Sequence, residues 1–187
     1  MRRLLEPLAR RWRELRQDRR GVSAVEFALV APILILMFFG LTELAQAMTA
    51  DRRLAHAASA IGDLVAQDTS VSSSDLTDVF SAASTILAPY PTTTLSLRVS
   101  SITGDASGNP KVVWSKAQGT GMSKLTAGST ATLPTGLVTT AGDNVIMSEA
   151  TYTYTPLIGY VIKSSKNFTE KFYLRPRQVT AVPCADC

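Results

Sequence analysis

The sequence predicts an α+β protein: a long N-terminal membrane-spanning helix that extends beyond the bilayer, then a small antiparallel β-sheet body with one short packed helix. Three observations carry this reading. Residues 27–42 (FALVAPILILMFFGLT) are sixteen positions without a charge. Behind them, apolar residues recur at spacings of three and four as far as Val65, which is helical periodicity. After residue 87 the period changes to two, punctuated by glycine-rich turn clusters. The chain therefore divides into a basic cytoplasmic leader (1–21), a transmembrane and extended helix (22–66) and an exported α+β body (67–187).

The charge distribution supports that division. The 187 residues carry a net charge of +4, but residues 1–21 alone hold eight arginines against Glu6, Glu14 and Asp18. The remaining 166 residues are close to neutral, so the basic balance belongs to the leader and argues against a nucleic-acid-binding body. A hydrophobic content of 45% with 18% charge excludes a disordered or collagen-like chain. Two cysteines and one histidine exclude a zinc finger, an iron–sulfur protein and a disulfide-dense scaffold.

In the leader, Leu4, Leu5, Leu8, Trp12 and Leu15 lie between arginines, giving one apolar and one cationic helical face. Such a face suits an anionic membrane surface; it also suits a plain basic leader. The uncharged run follows, and extending it over 22–48 admits only Glu26 and Glu43. A bilayer core needs about 20 apolar residues in helix, so the segment spans if Glu26 lies near an interface or is neutralised. Arginines in front of the run place the N-terminus in the cytoplasm and the body outside. A cleaved signal peptide with its site at Ala45-Gln46-Ala47 is the competing reading, but leader and apolar run are both too long for one.

Ala47, Ala50, Leu54, Ala57, Ala58, Ile61, Leu64 and Val65 continue an apolar stripe, with Arg52, His56 and Asp63 opposite. As one helix, 22–66 reaches about 67 Å, with Pro32 as its expected kink. A Ser/Thr linker follows, in which Ser73 or Ser74 can cap a helix over 75–87. Pro89-Tyr90-Pro91 ends it. Strands are expected over 94–102, 111–116 and 144–154, with one or two more over 168–176 and 177–182. The Gly-, Thr- and Ser-rich stretch 119–141 has few anchors and reads as a mobile loop.

Function is written most plainly in Arg19-Arg20-Gly21-Val22-Ser23-Ala24-Val25-Glu26-Phe27. Glycine lacks a Cβ, so a peptidase can draw its backbone close. Cleavage after Gly21 would free the amine of Val22, a natural partner for Glu26. A carboxylate in lipid is costly and usually paired or functional; the plainer alternative is an interface charge with no task. Glu43 reads equally as a functional group or as the far boundary of the membrane. Gly40 reads as a helix contact or as a chance small residue.

At these residues the sequence resembles the type IV pilin-like proteins, most closely the TadE-like pseudopilins of tight-adherence (Tad/Flp) pilus systems. The resemblance rests on Gly21, on Val25-Glu26-Phe27-Ala28-Leu29-Val30-Ala31-Pro32, and on Phe39-Gly40-Leu41-Thr42-Glu43-Leu44. It is strong over 19–50. It is looser in the tail, at Gly142-Asp143-Asn144-Val145 and Tyr152-Thr153-Tyr154-Thr155-Pro156-Leu157. It implies processing by an aspartic prepilin peptidase between Gly21 and Val22, and a place in the bacterial inner membrane with the body in the periplasm. The implied partners are other pilins or pseudopilins and the inner-membrane assembly platform. Major Flp pilins are far shorter, and the chain has no room for the von Willebrand-like domain of TadG-type relatives, so the resemblance favours a minor pilin or pseudopilin.

Cys184 and Cys187 form a C-x-x-C pair without further ligands, too few for zinc. Export to an oxidising space favours a small disulfide. His56 falls on the polar helix face, and Asn167-Phe168-Thr169 matches a sequon common by chance. No nucleophile–base pair, phosphate loop or metal cluster is evident, so no enzyme activity and no cofactor are expected. A membrane-anchored binding module unrelated to pili is the competing function; a plain anchor needs neither Gly21 nor Glu26.

Overall fold

The protein is described over residues 21–187 by a computed structural model; the leader, Gly21 apart, and the amphipathic face expected in it lie outside the described residues. Helix α1 spans Val22–Gln67, 46 residues running through Pro32. Its two halves meet different surroundings. In the first, large side chains stand exposed, Phe27 by 68% and Leu29 by 71%. In the second, Ala50, Leu54, Ala57, Ala58, Ile61, Gly62, Val65 and Ala66 are buried. Leu64, placed on the apolar stripe by its spacing, is exposed. At 100° per residue it falls just past one edge of the buried arc, whereas Gly62 falls inside it.

Helix α2 spans Ser73–Ile86 and buries Leu76, Phe80 and Ala83. Its cap is Ser72, not Ser73 or Ser74. The Ser72 hydroxyl accepts from the Asp75 N–H at 3.2 Å, and the Asp75 carboxylate accepts from the Ser72 N–H at 2.9 Å. Only Ser72 has an acid three residues on at which this reciprocal pair closes. The Ser72 hydroxyl also donates to the Asp75 carboxylate at 2.7 Å, and this bond, ahead of the one from the Ser72 N–H, holds that carboxyl below its ordinary range. At the other end of α2, Arg53 of α1 donates to the carbonyls of Ile86 (3.2 Å) and Ala88. That contact satisfies C-terminal acceptors the helix cannot pair itself.

Four strands, β1 (Ser96–Gly104), β2 (Pro110–Gln118), β3 (Asn144–Tyr154) and β4 (Lys166–Leu174), form one antiparallel sheet in the order β2-β1-β3-β4. Val99 of β1 stands between Lys116 of β2 and Ser148 of β3, and Tyr152 of β3 pairs with Phe168 of β4. Both helices cover one face. There Leu97, Val99, Ile146, Ala150, Tyr152 and Tyr154 join Leu54, Ile61 and Phe80 in the main core. Gly62 makes the close approach possible: a Cβ there would lie 2.5 Å from Leu174 Cδ1 and 2.8 Å from Ser148 Oγ.

Register in β2 shifts so that Ser101 faces Trp114 while Ile102 faces Val112, leaving Val113 as the extra residue. An extra residue reverses the alternation. Trp114 therefore enters the helix-side core while Val112 joins a second, smaller cluster with Ile102, Ala131 and Met147. This cluster corrects the reading of 119–141 as a mobile loop. Ala131 is buried, the Ser129 carbonyl accepts from Val112 N, and Gly121 and Leu125 donate their N–H groups to Ser96 and Ser115 hydroxyls. The segment has no regular structure, yet it roofs the second face of the sheet. Single residues make the anchors, and they carry no periodicity.

Residues 177–182 are not a strand. The Arg177 N–H donates to the Ala66 carbonyl at 2.8 Å and the Gln178 side-chain amide to the Gln67 carbonyl at 2.7 Å, so this segment caps the end of α1. Val182 then buries itself, its carbonyl accepting from the Trp114 indole at 2.8 Å.

Candidate functional site: the exposed apolar half of the long helix and its junction with the body

Three residues read from the sequence come together at the start of α1. Gly21 is its N-cap, with no side chain to satisfy the first amides and open space where a Cβ would project. Val22 is half exposed. Glu26 follows one turn on, exposed, with no side-chain partner among the described residues. Among the described residues, no side chain caps the first N–H groups of the helix beside Gly21. Pro32 lies farther along the same exposed half.

The cysteines lie elsewhere, in the body. Cys184 and Cys187 are joined, with Cα atoms 5.7 Å apart. The tail that holds them lies along the start of α2: the Val71 N–H donates to the Pro183 carbonyl at 3.0 Å and the Ser73 N–H to Asp186 at 2.8 Å. Asp186 completes the only candidate group of metal-ligand type among the described residues, and the disulfide leaves that group without thiolates.

The second centre is Glu43, directly after the uncharged run. It is only 2% exposed. Its carboxylate accepts four successive backbone N–H groups from the loop between β3 and β4. Gly159 (2.5 Å) and Tyr160 (3.2 Å) donate to Oε1; Val161 (2.8 Å) and Ile162 (3.0 Å) donate to Oε2. Consecutive amides converging on one anion form a nest, and the turn into it uses a positive φ of 68° at Gly159. One turn nearer the start of α1, Gly40 leaves space for the same loop: a Cβ there would stand 3.0 Å from Val161 Cγ2. Gly40 is therefore a packing contact to the body's loop.

Beside this junction lies a cavity of about 530 Å³ lined by Gln46, Tyr90, Tyr152, Tyr154 and Leu157 among others. The Tyr90 hydroxyl donates to the Gln46 carbonyl at 2.9 Å. Burial pushes the Tyr154 hydroxyl upward in pKa, and the nearby Tyr90 and Glu43 add to the shift. The junction thus joins the apolar half of α1, the sheet and the loop through one charge and several aromatic rings.

The TadE-like protein family model matches residues 21–62. This segment is TadE-like. The match starts at the N-cap of α1, takes in both Glu26 and Glu43, and stops inside the helix at Gly62. No curated protein and no solved structure matches the chain at a significant level. The match covers 42 of the 187 residues, so the likeness belongs to this segment and not to the body that follows it. Helix α1 is long and apolar enough to cross a membrane once.

Glu43 was visible in the sequence only as an ambiguous charge. Two signals pointed to it: its place beside Gly40 at the end of an uncharged run, and an apolar stretch, Pro156-Leu157-Ile158-Gly159-Tyr160-Val161-Ile162, that no expected strand used.

Proposed function

We propose that this protein is a pilus assembly pseudopilin, a minor-pilin-like structural protein. In this reading a prepilin peptidase cleaves it between Gly21 and Val22, and it acts at the inner membrane in tight-adherence pilus biogenesis. The observation that carries the proposal is the joint placement of Gly21 and Glu26 at the start of a TadE-like helix whose first half is exposed and apolar. Cleavage leaves an ammonium at Val22 and a carboxylate four residues on. An unpaired charge in mid-membrane costs at least ~2.5 kcal/mol on insertion scales. Pairing Glu26 with the amine of a neighbouring pilin removes that cost only at one axial stagger, and so sets the register of assembly. The partners in this reading are the peptidase, other pilins or pseudopilins, and the inner-membrane assembly platform.

Mass determination of the mature N-terminus, in a host with its peptidase, tests the processing step. A start at Val22 is expected; a chain intact from Met1, or one beginning at Met48, overturns it. Glu26→Gln tests assembly. The variant is expected to insert, be processed and fold its sheet while losing piliation, with Glu26→Asp intermediate. Normal piliation by the processed Gln variant would reduce Glu26 to an interface charge and favour a plain membrane anchor.

A further inference from the structure

Apart from α1, the large apolar residues that stand exposed among the described residues are Val113 and four in one five-residue stretch: Leu157 (85%), Ile158 (50%), Tyr160 (55%) and Val161 (56%). Val113 apart, a body that buries its other large apolar groups wholly or in part has concentrated its exposed ones in a single loop. Such a patch marks a contact surface.

The loop's position says with what. At 1.5 Å per residue, residues 22–42 rise about 31 Å, close to the thickness of a hydrocarbon core. Glu43 is thus the first charge on the far side, and its carboxylate holds the amides of Gly159, Tyr160, Val161 and Ile162. Val161 reaches one turn farther back, onto Gly40, within the uncharged run. The exposed apolar loop is therefore continuous with the exposed apolar half of α1 and lies at its exit. Lys163 and Lys166 follow, both exposed, at the end where lipid phosphates would stand. Tyrosine and lysine beside aliphatic groups are the side chains that settle at a bilayer–water boundary.

We propose that the 157–162 loop is a second membrane contact, seated in the lipid headgroup and upper acyl region of the leaflet through which α1 emerges, with Glu43 as the residue that holds it there. Four amides inserted at that depth without a partner would each be costly; the buried Glu43 carboxylate satisfies all four within the protein. Two-point seating fixes the tilt and rotation of the body relative to the membrane, which a single helix leaves free. The inference rests on α1 crossing a bilayer and not on the pilus reading.

The test places the photoreactive residue p-benzoylphenylalanine singly at Leu157, Tyr160, Leu34 or Val113 of the full chain. Each form is reconstituted in phosphatidylethanolamine–phosphatidylglycerol vesicles and irradiated, and adducts are identified by mass. Lipid adducts at Leu157 and Tyr160 are expected at least about tenfold above those at solvent-facing Val113, as partition into the interface requires. Glu43→Gln should cut the yield at both loop positions while Leu34 keeps its own. Lipid adducts at Leu34 without any at the loop overturn the loop contact alone. Adducts to a second copy of the chain instead of lipid overturn it in favour of a subunit interface. Absence of lipid adducts at Leu34 as well removes both the contact and the membrane span on which it stands.

Discussion

The two halves of α1 are continuous in backbone and opposite in packing. Before Glu43 the helix carries large residues that face outward all round; beyond it, small residues line one side and disappear beneath the sheet and α2. Bulk in the first half gives a surface to lipid or to neighbouring helices, neither of which requires the backbone to come close. Alanine and Gly62 in the second half let the helix axis approach strands that carry their own large side chains. Apolarity alone therefore does not define a membrane helix. Apolarity on all sides separates the first half from the second, and a one-sided stripe marks the half that folds against protein.

The sharpest way to break this contrast is to make the same substitution on both sides of it. Leu54→Ala empties a fully buried site and is expected to cost about 2–5 kcal/mol. Leu34→Ala, at an exposed site, should move body stability by less than about 0.5 kcal/mol. Thermal unfolding of the full chain in detergent micelles, followed by the near-UV signal of buried Trp114, measures both. Equal losses would show that the first half also packs on the body.

A smaller effect is expected from adding bulk. Gly62→Leu forces side-chain atoms into Leu174 and Ser148 and should destabilise the body by about 1–3 kcal/mol, as overpacking does. The same unfolding measurement applies. A neutral result would mean that α1 can rise from the sheet without loss, and that its small residues serve something other than close packing.

The smallest effect concerns the loops rather than the helix. Asp143 accepts N–H groups from Thr139 (3.0 Å) and Thr140 (3.1 Å), which lower its carboxyl from 3.8 to about 2. A depressed carboxyl pKa contributes stability that is fully present above the unfolded value and is lost as pH falls through the folded one. Denaturation midpoints should therefore decline slightly between about pH 4 and pH 2, and Asp143→Asn should flatten that part of the profile. An unchanged slope in the variant would assign the acid sensitivity to other carboxylates.

Much of the architecture was legible because it repeats. Helical spacing exposed α1 and α2, and alternation exposed β3 over its full length and β1, β2 and β4 within two residues at most of their boundaries. The absence of charge over 27–42, with Gly21 and Glu26 just before it, is readable in the sequence alone and falls in the TadE-like segment. These are local properties: each is written in residues near one another in the chain and needs no partner to be read.

What only the tertiary structure decided depends on contacts between distant residues. Glu43 meets amides more than a hundred positions away. The 177–182 segment has enough apolar residues for a strand, but the unpaired carbonyls of Ala66 and Gln67 claimed its donors first. Ala131 turned a stretch without periodicity into the roof of a second core because Ile102, Val112 and Met147 left an apolar face to cover. Hydrophobic pattern records which surfaces must leave water, and that need is local. Which buried carboxylate, carbonyl or methyl group meets which partner is set by closing the chain on itself, where each unsatisfied polar group takes the donor that the finished geometry brings within reach.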